Sequence, residues 1–138
     1  MSIIQTQTTS FKKELYQAIH DLSTDTIKIA LYTGNADLNE DTTVYSATNE
    51  VSGTGYTAGG ETMTGVAISS SGYVAYANWN NASWTAALTA RCALIYNASK
   101  GNKSVAVLDF GSDKTSTTTF TITMPANTST TALIRSSN

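Results

Sequence analysis

Charge is scarce in this chain. Lys and Arg together number 8 and Asp and Glu 10, so 13% of the residues are charged, against about 25% in an ordinary soluble domain. With a net charge of -2 and its basic residues scattered, the chain offers no field to neutralise phosphates, which argues against a nucleic-acid partner. Cysteine is almost absent too: Cys92 stands alone, so no disulfide forms within the chain and no zinc site of the usual two-cysteine spacing is available. His20 is the single histidine. No apolar run approaches the roughly 18 residues of a membrane span, and the N-terminus lacks the basic start and apolar stretch of a signal peptide. The expectation is a protein made in a cytoplasm, with no membrane partner.

What is present is Thr, Ser, Asn and Gly in a chain of 138 residues, the size of one domain. Residues 8 to 22, TTSFKKELYQAIHDL, space Phe11, Leu15, Ala18, Ile19 and Leu22 on one helical face, with Thr9 or Ser10 as cap. From TIKIALYTG onward the period becomes two, Ile27, Ile29 and Leu31 alternating with Lys28, Ala30 and Tyr32 as in a half-buried strand. Strand-like runs follow (VYSAT, TGVAIS, YVAYANW, WTAALTARCALIYN, SVAVLDF, TFTITMP, TALIR), with turns expected at SSSG, residues 69 to 72, and NNAS, residues 80 to 83. The pattern predicts an all-β fold, a β-sandwich or jelly roll with one N-terminal amphipathic helix. In that reading residues 1–8 are a flexible arm, 9–22 the helix and 26–138 the sandwich, within a single domain.

Candidate chemistry is thin. Gly53, Gly55 and Ala58 match the spacing of a dinucleotide fingerprint, but no helix pattern follows to hold a pyrophosphate. EVSGTGYTAGG therefore reads as a flexible surface loop of the kind that contacts partners. The helical wheel places His20 off the apolar face, solvated and without a triad partner. Asp37, Asn39 and Asp41 space oxygens like the start of a calcium loop, but Thr42 stands where that loop needs Gly and Thr48 where it needs Glu. Asp109 and Asp113 bracket a turn at Phe110–Gly111–Ser112. Trp79 and Trp84 flank NNAS, where they pack across a hairpin or form a glycan platform. Cys92 reads as a small buried residue. No cofactor and no enzymatic activity are expected.

Five blocks together, FKKELYQAIHDLSTDTIKIALYTGNADL, NEVSGTGYTAGG, CALIYNASKGN, VAVLDFGSDK and TFTITMP, resemble a family of small virion structural proteins of tailed bacteriophages. The resemblance implies a non-enzymatic virion component, first of all a capsid decoration (cement) protein on the exterior of the shell. Its partners would be the major capsid protein and further copies of itself, as a dimer or trimer. The alternative it leaves open is a tail, neck or receptor-binding component. Under the first reading Ile3 and Ile4 of the arm, with Gly53, Gly55, Tyr56, Gly59 and Gly60 of the glycine stretch, are the expected partner contacts. Under the receptor-binding alternative Trp79 and Trp84 meet a glycan.

Overall fold

The structure is a computed structural model and describes residues 2–137; Met1, the outermost residue of the expected arm, and Asn138, the last of the expected sandwich, lie outside the described residues. Thr8, extended at φ -72° and ψ 150°, opens helix α1 (Thr9–Tyr16), its hydroxyl accepting from the Phe11 amide at 3.3 Å. The cap falls at Thr8, and not at Thr9 or Ser10, because its amide donates to Val105 O at 3.0 Å and its hydroxyl lies 2.9 Å from that of Ser104. The chain is thus already tied down where the helix begins.

α1 ends at Tyr16, short of the expected Leu22. Ala18 turns left-handed at φ 59°, its amide donating to Leu15 O and that of Ile19 to Glu14 O, the paired bonds that close a helix end. This reversal folds His20 back beneath the helix, with its ring 4.9 Å from that of Phe11. His20 is therefore buried, not solvated. Asn97 Oδ1 accepts from the Ser99 amide, so its Nδ2 faces His20 Nδ1 at 2.9 Å as a donor, which leaves His20 Nε2–H to donate to Glu14 at 2.8 Å.

The rest is antiparallel sheet. β1 (Thr6–Gln7), β8 (Lys103–Thr115), β7 (Thr89–Asn97), β2 (Ile27–Tyr32) and β3 (Glu61–Thr62) lie in that order in a five-stranded sheet. β10 (Ile134–Ser136), β5 (Val74–Asn78) and β4 (Ala67–Ser71) form a second sheet, and β6 (Ala82–Trp84) pairs with β9 (Phe120–Ile122). The fold is all-β with one short helix, as the sequence pattern predicts.

Ile27, Ile29, Leu31 and Ile95 turn one face of the large sheet toward Phe11, Trp84, Phe120, Ile122 and Ile134, forming the main core. The opposite face is also buried. Ala30, Tyr32, Cys92, Leu94, Tyr96 and Val107 make a second cluster with Ala36 and Leu38, against which Ile3 and Tyr45 pack. β2 is thus covered on both sides, not half-buried as its alternation suggested, because residues 33 to 50 fold across the second face. Among the described residues no helix is long and apolar enough to cross a membrane.

Ala18 holds a conformation that costs an L-residue about 1 kcal/mol relative to glycine. Ala18→Gly should raise unfolding stability by about 1 kcal/mol in urea titration; an unchanged or lower midpoint would show that Ala18 is not strained.

Candidate functional site

The expected arm is docked. Ile3 bridges Leu38, the Ile4 amide donates to Leu38 O at 3.0 Å, and β1 pairs with β8 through Thr6↔Val107 and Gln7↔Ala106. Ile3 does find an apolar partner, in the second core cluster, and only Ile4 stays exposed. The order comes from this chain's own sheet edge, which accepts the segment as a strand.

The glycine stretch is a strap and not a flexible loop. Tyr56 and Gly59 are buried, while Gly53 and Gly55 stay exposed at its rim. Gly60, at φ 79°, crosses β2 so closely that a Cβ there would stand 1.8 Å from Ile29 O, and one on Gly55 would stand 2.3 Å from Thr85 O. Here glycine serves close backbone approach.

The residue that secures the strap is Glu50, which sequence reasoning did not single out. Its Oε2 accepts from the Tyr56 hydroxyl at 2.5 Å and the Gly59 amide at 2.8 Å, and its Oε1 from the Tyr45 hydroxyl at 2.6 Å. Tyr56 in turn accepts from the Leu31 amide, and Tyr96, stacked on Tyr45 at 4.7 Å, donates to Gly59 O at 2.6 Å. Tyr32 donates to Ser46 O at 2.6 Å, adding a fourth phenol to the cluster. Burial first, then the adjacent carboxylate, raises the pKa of all four, well above the ordinary value of 10 for Tyr32, Tyr45 and Tyr56 and to about 12 for Tyr96. The arrangement anchors the strap to β2 and β7. The only sequence signal was a lone Glu among tyrosines and glycines.

Both tryptophans face inward, Trp79 at 5% and Trp84 at 3% exposure, so neither offers a stacking face to a sugar. Nor do they flank a hairpin turn. β5 and β6 belong to different sheets, with the Asn80 amide donating to Thr64 O and Asn81 Oδ1 accepting from Met124. NNAS is a crossing between sheets, and Trp84 packs against Tyr56 and Phe120.

The remaining polar residues also serve the fold. Asp37 accepts from the Ser2 amide and from Asn39, holding the N-terminal segment. Phe110–Gly111–Ser112 is no terminating turn: β8 continues to Thr115 across a bulge at which the Gly111 amide donates to Asp109 Oδ1 at 2.8 Å. Asp109 also pairs with Arg91; the Gly111 bond first and this pair next lower its pKa. Burial opposes ionisation of Asp25, yet bonds from Asn97, the Asp21 amide and Lys100 hold its pKa at about 2. Burial pushes the Cys92 thiol up to about 11, which leaves it unreactive near neutrality. Among the described residues no three His, Cys, Asp or Glu side chains gather as a cation site.

One element buries little. Every residue of β4 is exposed, and the expected turn at 69 to 72 is instead strand through Ser71, with Gly72 at φ 59° and Tyr73 as the two-residue turn before Val74. Glycine at the first of two central positions suits the tight turns that match strand twist. Ile68 is 54% exposed and Tyr73 95%. From Thr62 to Ala90 the chain has no charged residue. This hairpin is the site best presented for a macromolecular partner.

Neither protein-family models, nor curated proteins, nor solved structures yield a match to this chain.

Two outcomes test the Glu50 anchor. Glu50→Ala leaves buried donors unpaired and should cost about 3 kcal/mol of unfolding stability, whereas Glu50→Gln, which keeps an acceptor, should cost about 1 kcal/mol; equal losses would refute the anchor. The four phenols hold their protons more tightly folded than unfolded. Their contribution is complete below the ordinary tyrosine pKa of 10 and is lost as pH rises toward the folded value, about 12 for Tyr96. Stability should therefore fall above pH 10, with phenolate absorbance from these residues appearing together with unfolding. Their ionisation in a still-folded protein would contradict the burial.

Proposed function

We propose that this chain is a structural protein of a tailed-bacteriophage virion, and within it a decoration protein on the exterior of the capsid, bound to the major capsid protein. The observation that carries the reading is the ordered set of blocks from Phe11 to Pro125 that resembles such proteins. The physical arrangement is consistent with it. Those blocks build α1, the strap and strands β2, β7, β8 and β9, a stiff scaffold, whereas the β4–β5 hairpin lies outside them and exposes the whole of β4. A domain of this kind presents a surface for contact and does no chemistry.

A decoration protein must hold a shell against internal pressure with individually modest contacts. Repeated attachment of an oligomer to several capsid subunits raises effective concentration and makes weak contacts durable. The sparsely charged, Ser- and Thr-rich surface suits wet, hydrogen-bonded interfaces, and its sparse apolar side chains limit premature aggregation. With both indoles buried, the glycan-binding alternative loses the residues that motivated it.

Copy number in purified virions tests the proposal. Quantitative mass spectrometry should find one subunit for every one to few major capsid subunits. About a dozen copies or fewer, the count of a symmetric ring, would move the protein to the neck or tail, and absence from virions would overturn the reading altogether.

A further inference from the structure

The geometry points to β4 as the strand through which two copies of this chain join, pairing antiparallel about a twofold axis at Ile68. The inference deepens the self-association in the proposed function and rests on that part of it alone.

The other strand edges are short, covered or charged; the outer edge of β8 beyond Val107, which β1 does not reach, carries Asp109, Asp113 and Lys114. β1 and β3, the outer strands of the large sheet, have two residues each, and Gln7 Nε2 donates to Arg135 O on β10 at 3.0 Å. Short, charged or covered edges are how soluble proteins avoid pairing with one another. β4 has none of these protections. It is five residues long, AISSS, without charge or proline, and it ends its sheet with no strand on its outer side among the described residues.

The register fixes what that side offers. Ser71 and Val74 flank the two-residue turn and face each other across the hairpin. Residues flanking such a turn exchange backbone bonds, and alternate residues do so back along the strand. By that alternation Ser71, Ser69 and Ala67 bond toward β5, and the N–H and C=O groups of Ile68 and Ser70 point outward.

The apolar row also ends abruptly. Ile134 pairs with Ala77, and Ala77 with Ile68, so the three share one face of the sheet. Ile134 and Ala77 are each 4% exposed, but Ile68 at the edge is 54% exposed. A second β4 centred on Ile68 sets the partner's Ile68 beside it and continues the row through a six-stranded sheet. Directly opposed β-branched residues are a favourable cross-strand pair.

Charge places no obstacle before a second copy, and a strand that sets Ile68 against Ile68 is complementary to itself. A strand meets its own like charges when it self-pairs, and that penalty is absent here because residues 62 to 90 are neutral. A twofold contact is self-complementary and closes at two subunits, so an unprotected edge of this kind need not lead to fibres.

Sedimentation velocity on the full chain across concentrations tests the pairing. The wild type should dimerise reversibly. Ser70→Pro removes an outward amide that an edge position can spare and should abolish the dimer while melting at the temperature of the wild type diluted to monomer. Should Ser70→Pro itself melt early, Ile68→Lys supplies the decision: opposed like charges on the axis should weaken dimerisation by about tenfold or more. Ile68→Cys should form a covalent dimer on oxidation, while Tyr16→Cys, 93% exposed on α1, should not. A wild type that stays monomeric to about 1 mM, or a dimer indifferent to these changes, overturns the inference. A monomer that still coats capsids would assign the edge to a capsid-protein strand, and so also overturns it. Because oligomeric state is read without virions, a failed dimer leaves the copy-number test standing, and a low copy number leaves the dimer standing.

Discussion

A single carboxylate ties the glycine strap to the large sheet of this protein. Glu50 receives hydrogen bonds from Tyr45, Tyr56 and Gly59, and through Tyr56 and Tyr96 those bonds reach the backbone of β2 and the side chains of β7. A buried acceptor of this kind is cheap to keep only when its donors are all in place. That condition fixes the strap, and the strap must then cross β2 within reach of Ile29, which only glycine at position 60 allows.

Several of the few charges are also tied into the fold. Glu14 meets His20, Asp25 meets Lys100, Arg91 meets Asp109, and Glu50 sits among phenols. Each joins segments distant in the chain or closes a local turn. The stretch from Thr62 to Ala90 carries no charge, and it includes β4, every residue of which is exposed.

A scaffold of two buried sheet faces with an exposed neutral edge strand separates two tasks. The five-stranded sheet, covered on one side by the core and on the other by residues 33 to 50, supplies rigidity. The hairpin supplies contact. In a capsid-bound protein such a division would let the contact element meet its partner without disturbing the core.

The sequence by itself determined the all-β class, the start of the single helix, β2, β7 and β8, and the burial of Cys92, because alternation and turn residues are local signals that survive without neighbours. It also showed the absence of charge from Thr62 to Ala90. Only the tertiary structure decided the rest. The helix ends at Tyr16 because His20 must return to Phe11 and Asn97, residues that no helical wheel brings together. The arm is a strand because β8 offers it an edge. Trp79 and Trp84 part company because the chain changes sheets at Asn80 and Asn81. The glycines are a strap because Glu50 finds three donors. β4 is exposed because, among the described residues, β5 alone pairs with it. Each of these is set by a contact between residues far apart in the chain, and periodicity reports only what a residue's near neighbours do.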